Sequence, residues 1–235
     1  MVLVLIGLYL KDCLLLLDAD EATLTRRTFG RWQAGFGLRD WKLAGREPFL
    51  CNPMLPHEPV FRLAWSMSGS TKSPARRPLE PPPVLTALQP MVLATWLLLF
   101  AVLPFCVLTG MPTWFTVAAV AVLYANILAS LVVLYRGRGQ LDIEPGVLRL
   151  VALEIVLCPP YAANLVRKLS LAIAPDEDFL TAARRLLPDG HMAAVHRQCA
   201  ARIDEAVQAL PEDSAAIAGL LGHRNLLKES SHDAD

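Results

Sequence analysis

The chain has no excess of charge of either sign. Its 235 residues include 22 Lys and Arg and 22 Asp and Glu, so the formal net charge at pH 7 is +0. A protein that binds nucleic acid by neutralising phosphates needs a concentrated positive field, which this balance does not supply. The composition therefore argues against a nucleic-acid partner.

Cysteines are few, and no two of them form a C-x-x-C pair. The five are Cys13, Cys51, Cys106, Cys158 and Cys199, an odd number scattered along the chain. This spacing predicts neither a disulfide framework nor a zinc site. The sequence also has no phosphate-binding glycine loop, no H-E-x-x-H and no nucleophile elbow. We therefore predict no metal site, no cofactor and no catalytic residue.

Charged residues are missing altogether from 81–135, a run of 55 residues in a chain that is 54% hydrophobic. About 20 apolar residues are enough to span a bilayer. We expect two transmembrane helices, 91–109 and 113–135, joined by a tight turn at 110–112 that contains Gly and Pro. Pro104 is expected to kink the first helix.

Arginine placement predicts the orientation of this helical hairpin. Arg76 and Arg77 precede it and Arg136 and Arg138 follow it, whereas the turn carries no charge. Lys and Arg are enriched on the cytoplasmic side of membrane proteins. We therefore expect a multi-pass protein of a bacterial inner membrane, with the bilayer as a partner and the soluble parts mainly in the cytoplasm.

Two further segments are apolar but ambiguous. Residues 1–17 form a short membrane-contacting segment, with a third span and a helix lying in the interface as alternatives, because Lys11 and Asp12 interrupt it. Residues 147–166 contain Arg149, Glu154 and a proline pair, so we expect two short helices docked at the cytoplasmic interface. A re-entrant element is the alternative for this second segment.

The complete prediction is a membrane protein of the α+β class. Its segments are an N-terminal membrane-contacting segment (1–17), a small β-rich cytoplasmic module (18–67), a Pro/Ser-rich linker (68–90), the hairpin (91–135), an interfacial broken helix (136–174), a helical region (175–222) and a disordered tail (223–235). In the β-rich module, 14–17 and 22–25 are expected to pair as a β-hairpin, and a small apolar face is expected from Trp32, Phe36, Trp41 and Leu43.

Residues 191–210 are expected to form an amphipathic helix. Apolar residues recur there at spacings of three and four, as in a helix that packs on one face, and this stripe is a candidate surface for a protein partner. His196 and Cys199 are neighbours on that helix, whereas His191 lies about 140° away from His196. We therefore expect no metal site in this helix.

The second span contains two candidate helix-packing features. Asn126 is a polar residue in mid-span and is expected to hydrogen-bond to the other helix. Ala121, Ala125 and Ala129 lie four apart, a stripe of small residues that permits close approach of another helix and self-association.

Glu154, Arg167 and Lys168 form the most notable group of charges outside the soluble regions. Within a bilayer such residues mark a pathway or a buried pair. At the interface they contact lipid phosphates, which is the interpretation that we favour.

Three stretches resemble a family of bacterial inner-membrane proteins of unknown function. They are LYLKDCLLLLDADEATL (8–24), CNPMLP (51–56) and CPPYAANLVRKLS (158–170). The resemblance implies an inner-membrane location and a fold shared within a family, and no activity.

Together these features predict a non-catalytic interaction or scaffold subunit. Two alternatives remain open. One is a membrane-bound enzyme, for which Cys51, His57 and Glu154 are the candidate residues. The other is a channel or transporter component, in which two spans per chain require oligomers that form through the hairpin.

Overall fold

Helices and short strands both occur along the chain, and the α+β class is confirmed. The computed structural model describes residues 2–28, 30–69, 79–141, 143–173, 175–211, 214 and 216–232. The chain divides into two compact units. The first comprises Met1–Leu15, Leu50–Val60 and Glu80–Ala174, and the second comprises Leu16–Phe49, Phe61–Leu79 and Pro175–Asp235.

Two long apolar helical segments dominate the first unit. The first consists of α2 (Pro83–Leu97), a π-helical turn (Leu98–Val102) and α3 (Leu103–Leu108), and the second is α4 (Thr113–Gly137) with a 3₁₀ turn (Arg138–Gln140). Each is long and apolar enough to cross a membrane by length and composition. The two pack against each other along their length and are joined by a short turn with Gly110 at a φ of 64°.

Helix α2 begins at Pro83, within the segment predicted as a linker. Proline is favoured in the first helical turn because its missing N–H has no partner there and its φ is already helical. Residues 83–90 are therefore helix, and the linker prediction 68–90 is wrong for them. Residues 70–78, including Arg76 and Arg77, lie outside the described residues.

The π-helical turn accompanies Pro104. Proline at this position cannot donate the backbone hydrogen bond of a regular helix, so the ladder must change locally. The N–H of Leu103 donates to the carbonyl of Leu98, one residue further back than in an α-helix. The helix therefore continues through the proline to Leu108.

Helix α1 (Val2–Asp12) ends well before residue 17, because the chain enters strand β1 at Leu14. The helix therefore covers only part of the segment 1–17, and 14–17 are a strand. Eleven residues rise about 16 Å, which is too short to cross a bilayer as a helix. The remaining helices of the first unit are α5 (Pro145–Leu157), α6 (Pro159–Ala162) and α7 (Leu165–Ala172).

Among the residues that the structure describes, five short strands form two small sheets. They are β1 (Leu14–Leu17), β2 (Glu21–Arg26), β3 (Trp32–Gly35), β4 (Glu47–Leu50) and β5 (Val60–Ala64). β1 pairs with β4, and the second sheet has the order β3-β2-β5, with β2 and β3 antiparallel. The predicted pairing of 14–17 with 22–25 is therefore wrong, because β1 and β2 belong to different sheets.

Three helices complete the second unit, namely α8 (Phe179–Leu186), α9 (Asp189–Ala209) and α10 (Ala216–His232). The tail predicted to be disordered from residue 223 is helical through His232. Leu220 and Leu227 are buried, α10 packs on α9, and Arg224 pairs with Asp204 of α9 at 2.8 Å. These tertiary contacts outweigh the polar composition of the tail.

Asn126 links the two long helical segments. Its Nδ2 donates to the carbonyl of Met91 and to Oγ1 of Thr95, each at 2.8 Å. Thr95 is buried, so the amide satisfies polar groups that have little access to water. Asn126 therefore holds α4 to α2, the role expected for an amide in mid-helix.

Replacing Asn126 with alanine is expected to destabilise the hairpin. Losing two part-buried hydrogen bonds costs about 1–3 kcal/mol, and the Tm of the purified full-length protein falls by roughly 2–4 °C per kcal/mol. Leu128→Ala is the matched control, because Leu128 is exposed on the same helix and its truncation changes stability by about 0.5 kcal/mol or less. Equal Tm values for the two variants would contradict this role of Asn126.

Candidate functional site

Arg167 lies at the centre of a buried polar cluster in the first unit, with 1% of its surface exposed. Its Nη1 donates to Oδ1 of Asn164 at 2.9 Å and to Sγ of Cys13 at 3.1 Å. Its Nη2 donates to the carbonyl oxygens of Asn52 at 3.0 Å and Leu55 at 3.3 Å. We call these five residues the Arg167 cluster.

The Arg167 cluster joins parts of the chain that are far apart in sequence. Tyr9 extends it, because its hydroxyl donates to the carbonyl of Pro53 at 2.5 Å and its own carbonyl accepts from Asn164 Nδ2 at 3.4 Å. The N–H of Cys51 donates to the carbonyl of Cys13 at 3.0 Å. Residues near the N-terminus, in the loop 51–55 and at the start of α7 therefore meet at this one place.

A buried guanidinium normally pairs with a carboxylate, and here neutral acceptors take that role. Among the described residues no carboxylate lies within salt-bridge distance of Arg167. Carbonyl oxygens carry partial negative charge, and those of the loop 52–55 have few partners in regular secondary structure. The guanidinium therefore holds the loop in place, and the carbonyl oxygens of the loop stabilise the positive charge of Arg167.

Lys168 belongs to a separate ionic cluster. Its Nζ lies 2.7 Å from Oε2 of Glu154 and 3.3 Å from Oδ1 of Asp12, and 4.2 Å from the centre of the Tyr161 ring. The structure thus brings Glu154 of α5 and Lys168 of α7 together as an ion pair. It places Arg167 in the other cluster, so the three predicted charges do not form one group.

Cys51 and His57 are two of the three candidate residues for an enzyme, and both are buried. Burial raises the pKa of the Cys51 thiol to about 11. Burial also lowers the pKa of His57. At neutral pH Cys51 is therefore a protonated thiol, which is not the nucleophilic form of cysteine.

The second unit contains a buried ion pair of its own. Arg202 and Glu47 are 1% and 2% exposed and form a salt bridge, and Arg202 Nη2 also donates to the carbonyl of Gly37 at 3.0 Å. The guanidinium lies over the ring of Phe36, 4.8 Å from its centre. This pair connects helix α9 to the strand region.

The apolar stripe of α9 is used inside the second unit. Val195, Cys199 and Ile203 are all buried, so the stripe does not offer the partner surface that the sequence suggested. His196 is also buried, and burial raises the pKa of Cys199 to about 12. In the described part of the chain no group of three or more His, Cys, Asp or Glu is arranged to hold a metal ion.

Helix α4 presents its small-residue stripe away from α2. Ala121, Ala125 and Ala129 are exposed, whereas Leu123 and Ile127 of the same helix are buried. The hairpin therefore does not use the stripe for its own packing.

The loop 38–46 of the second unit carries exposed apolar side chains. We call it the Trp41 loop. Trp41 is 74% exposed, Leu38 60% and Leu43 54%, so the prediction that Trp41 and Leu43 join a core is wrong. A tight turn with positive φ at Ala44 and Gly45 ends the loop, and Lys42 pairs with Glu205 at 2.8 Å. These local contacts hold the apolar side chains outward.

Replacing Arg167 with methionine tests the structural role of the cluster. Methionine keeps much of the volume but removes the charged donor from Asn164 Oδ1 and from the carbonyls of Asn52 and Leu55, which retain only the N–H groups of Leu55 and Glu58. We expect a loss of roughly 2–5 kcal/mol in the free energy of unfolding, measured by denaturant titration of the full-length protein. Arg149→Met, at an exposed arginine, is the matched control, and an equally small effect of both changes would contradict the assignment.

Comparison with protein-family models, with curated proteins and with solved structures finds no match to this chain.

Proposed function

We propose that this protein is an integral protein of the bacterial inner membrane that acts as a non-catalytic interaction or scaffold subunit. The helices α2, α3 and α4 form a hairpin that spans the bilayer. The second unit lies in the cytoplasm and presents the Trp41 loop to a protein partner. One observation carries the proposal, namely where large apolar side chains are exposed.

The outer surface of the hairpin supports its placement in lipid. Only 22% of the most apolar window of either helical segment is buried, whereas the core helix of a soluble protein is mostly buried. An exposed apolar surface of this extent indicates a membrane or an interaction site. The exposed residues include Leu97, Phe105, Val107, Leu108, Phe115, Val117, Val122, Leu128 and Val132.

Two exposed aromatic residues match the thickness of a bilayer. Trp114 and Tyr135 are 62% and 64% exposed near opposite ends of α4. Their separation of 21 residues corresponds to about 31 Å along a helix, close to the roughly 30 Å of a hydrocarbon core. Tryptophan and tyrosine are enriched at the two membrane interfaces.

Arginine residues support a cytoplasmic position for the base of the hairpin. Arg136 and Arg138 follow Tyr135, and the guanidinium of Arg138 lies 4.3 Å from the centre of the Tyr135 ring. Residues 110–112 at the opposite end carry no charge. The positive-inside rule then assigns the base to the cytoplasm and the turn to the outside.

The Trp41 loop supports the interaction role. Tryptophan is the residue type most enriched among those that dominate binding energy at protein interfaces. In the second unit Trp41 is exposed between Leu38 and Leu43. The turn that ends this loop and the ion pair of Lys42 hold the loop in place. The partner surface proposed here therefore differs from the α9 stripe, which is buried.

An oligomeric channel or transporter component is the second candidate. The exposed position of Ala121, Ala125 and Ala129 favours it, because a small-residue stripe on an outer face permits close packing of hairpins from several chains.

A charge at the centre of the outer surface of α4 tests the bilayer placement. Val122→Arg is expected to reduce the fraction of protein that resists carbonate extraction, because arginine at a helix centre costs about 2.5–3.5 kcal/mol on insertion. Leu43→Arg is the control, since Leu43 and Val122 are 54% and 55% exposed. Wild-type protein released by carbonate, or equal behaviour of the two variants, would contradict a membrane span.

A photocrosslinking residue at position 41 tests the interaction role. We expect a discrete crosslinked species of higher mass when Trp41 is replaced in cells, and none when Gln198, an exposed position on α9, is replaced. A homodimer mass would favour the oligomeric alternative. The absence of any specific product at position 41 would contradict the Trp41 loop as a partner surface.

A further inference from the structure

Helix α5 has one apolar side that faces away from the first unit. Val147, Leu150, Leu153 and Leu157 recur every three or four residues and are 39%, 57%, 56% and 73% exposed. We call them the α5 row. On the other side, Val151 and Ile155 are buried, and α5 packs on α4 and α7. The α5 row is therefore an exposed apolar surface on a helix that packs against the hairpin.

The chain reverses direction after α5. Helix α5 ends at Leu157 and α7 begins at Leu165, and between them Pro159 and Pro160 open the single turn α6. Glu154 lies three residues before the end of α5, Lys168 lies three residues after the start of α7, and the two form an ion pair at 2.7 Å. The two paired residues lie equally far from the break between the helices. The helices are therefore antiparallel, and α7 runs back along α5.

The reversal lies deep beside the hairpin. Asn164 donates to the carbonyl of Tyr9, and the ring of Tyr9 lies 4.9 Å from that of Phe100, measured between centres. Phe100 follows Pro83 by 17 residues, about 25 Å along a helix. Helix α5 starts five residues after the 3₁₀ turn at the base of α4 and has 13 residues, which rise about 20 Å. The two lengths differ by about 5 Å, which is about one helical turn.

Polar groups at the reversal are satisfied inside the protein. The N–H groups of Cys158, Tyr161 and Asn164 donate to carbonyls three or four residues earlier, and two prolines have no N–H to satisfy. Arg167 donates hydrogen bonds to the carbonyl oxygens of Asn52 and Leu55, in the loop that covers this region. Irregular backbone is tolerated at membrane depth where it is buried in protein in this way.

We propose that α5, α6 and α7 form a re-entrant element. Helix α5 enters the bilayer beside α4, the chain turns back at 158–164, and α7 returns to the side from which α5 came. Lipid acyl chains of the same bilayer cover the α5 row, because α5 packs against α4, whose exposed apolar side faces lipid in the proposed function. The proposal rests on the proposed function, since it requires the hairpin to span the membrane.

Spin labels along the α5 row test this element in the full chain reconstituted into lipid nanodiscs. Each member of the row is changed to cysteine in a Cys158→Ser background, because Cys158 is the partly exposed native cysteine and the other four are buried. The accessibility of each label to oxygen and to a water-soluble nickel chelate gives its depth. The re-entrant element predicts that depth increases steadily from 147 to 157, over a helical rise of about 15 Å.

Two control positions separate this proposal from the proposed function. Val122→Cys reports on the hairpin and Asp40→Cys reports on a water-exposed loop. If the label at 122 is in water, the membrane placement itself fails. If it is deep while the α5 row has one constant shallow depth, α5 lies in the interface and only the re-entrant element is overturned. A row inaccessible to both reagents means that protein covers it, which also overturns the proposal.

A measurement on the wild-type chain avoids dependence on the cysteine variants. In vesicles whose phosphatidylethanolamine carries a diazirine in mid-chain, light is expected to attach lipid to Leu153 or Leu157. Label found on α4 and absent from α5 would contradict the re-entrant element.

Discussion

A buried guanidinium must find acceptors, and the first unit is arranged around that requirement. Arg167 is almost completely buried, and it contacts neutral oxygens and a thiol from three separate stretches of the chain. Removing any one stretch leaves charge or carbonyl groups without partners in a region of low dielectric, which is costly. This constraint links α1, the loop 51–58 and α7, and it holds the reversal after α5 in place beside the hairpin.

Composition predicted the long helices of the fold well, because an uncharged run as long as 81–135 has few alternatives to long apolar helices. Local rules failed where tertiary contacts decide. Helix α2 starts at Pro83 because the first helical turn accepts proline, although a run of prolines is also typical of a linker. Residues 223–232 are helical because α10 buries Leu227 against the second unit. Strand partners were not predictable, since short strands carry little information about which neighbour they pair with.

The candidate site was predictable only in part. Asn126 was identified because a polar amide in mid-span must find a partner, and its two hydrogen bonds to α2 meet that expectation. Arg167 and Lys168 are adjacent in sequence, yet successive helical residues point in different directions, so they enter two different clusters. The exposure of Trp41 was missed because an aromatic residue near a strand ordinarily indicates a core, and only the turn at Ala44 and Gly45 shows otherwise. The proposals for the hairpin, the re-entrant element and the partner surface all depend on which apolar side chains are exposed.

The central claim is that the apolar hairpin crosses a bilayer with its base in the cytoplasm. Reporters whose activity depends on compartment, inserted at the N-terminus, at the Gly110 turn and at the C-terminus of the full-length chain, measure this directly. The account predicts an external turn and a cytoplasmic C-terminus. A turn on the same side as the C-terminus would contradict the span, and an external turn with an external C-terminus would mean that α5 to α7 cross the membrane rather than return.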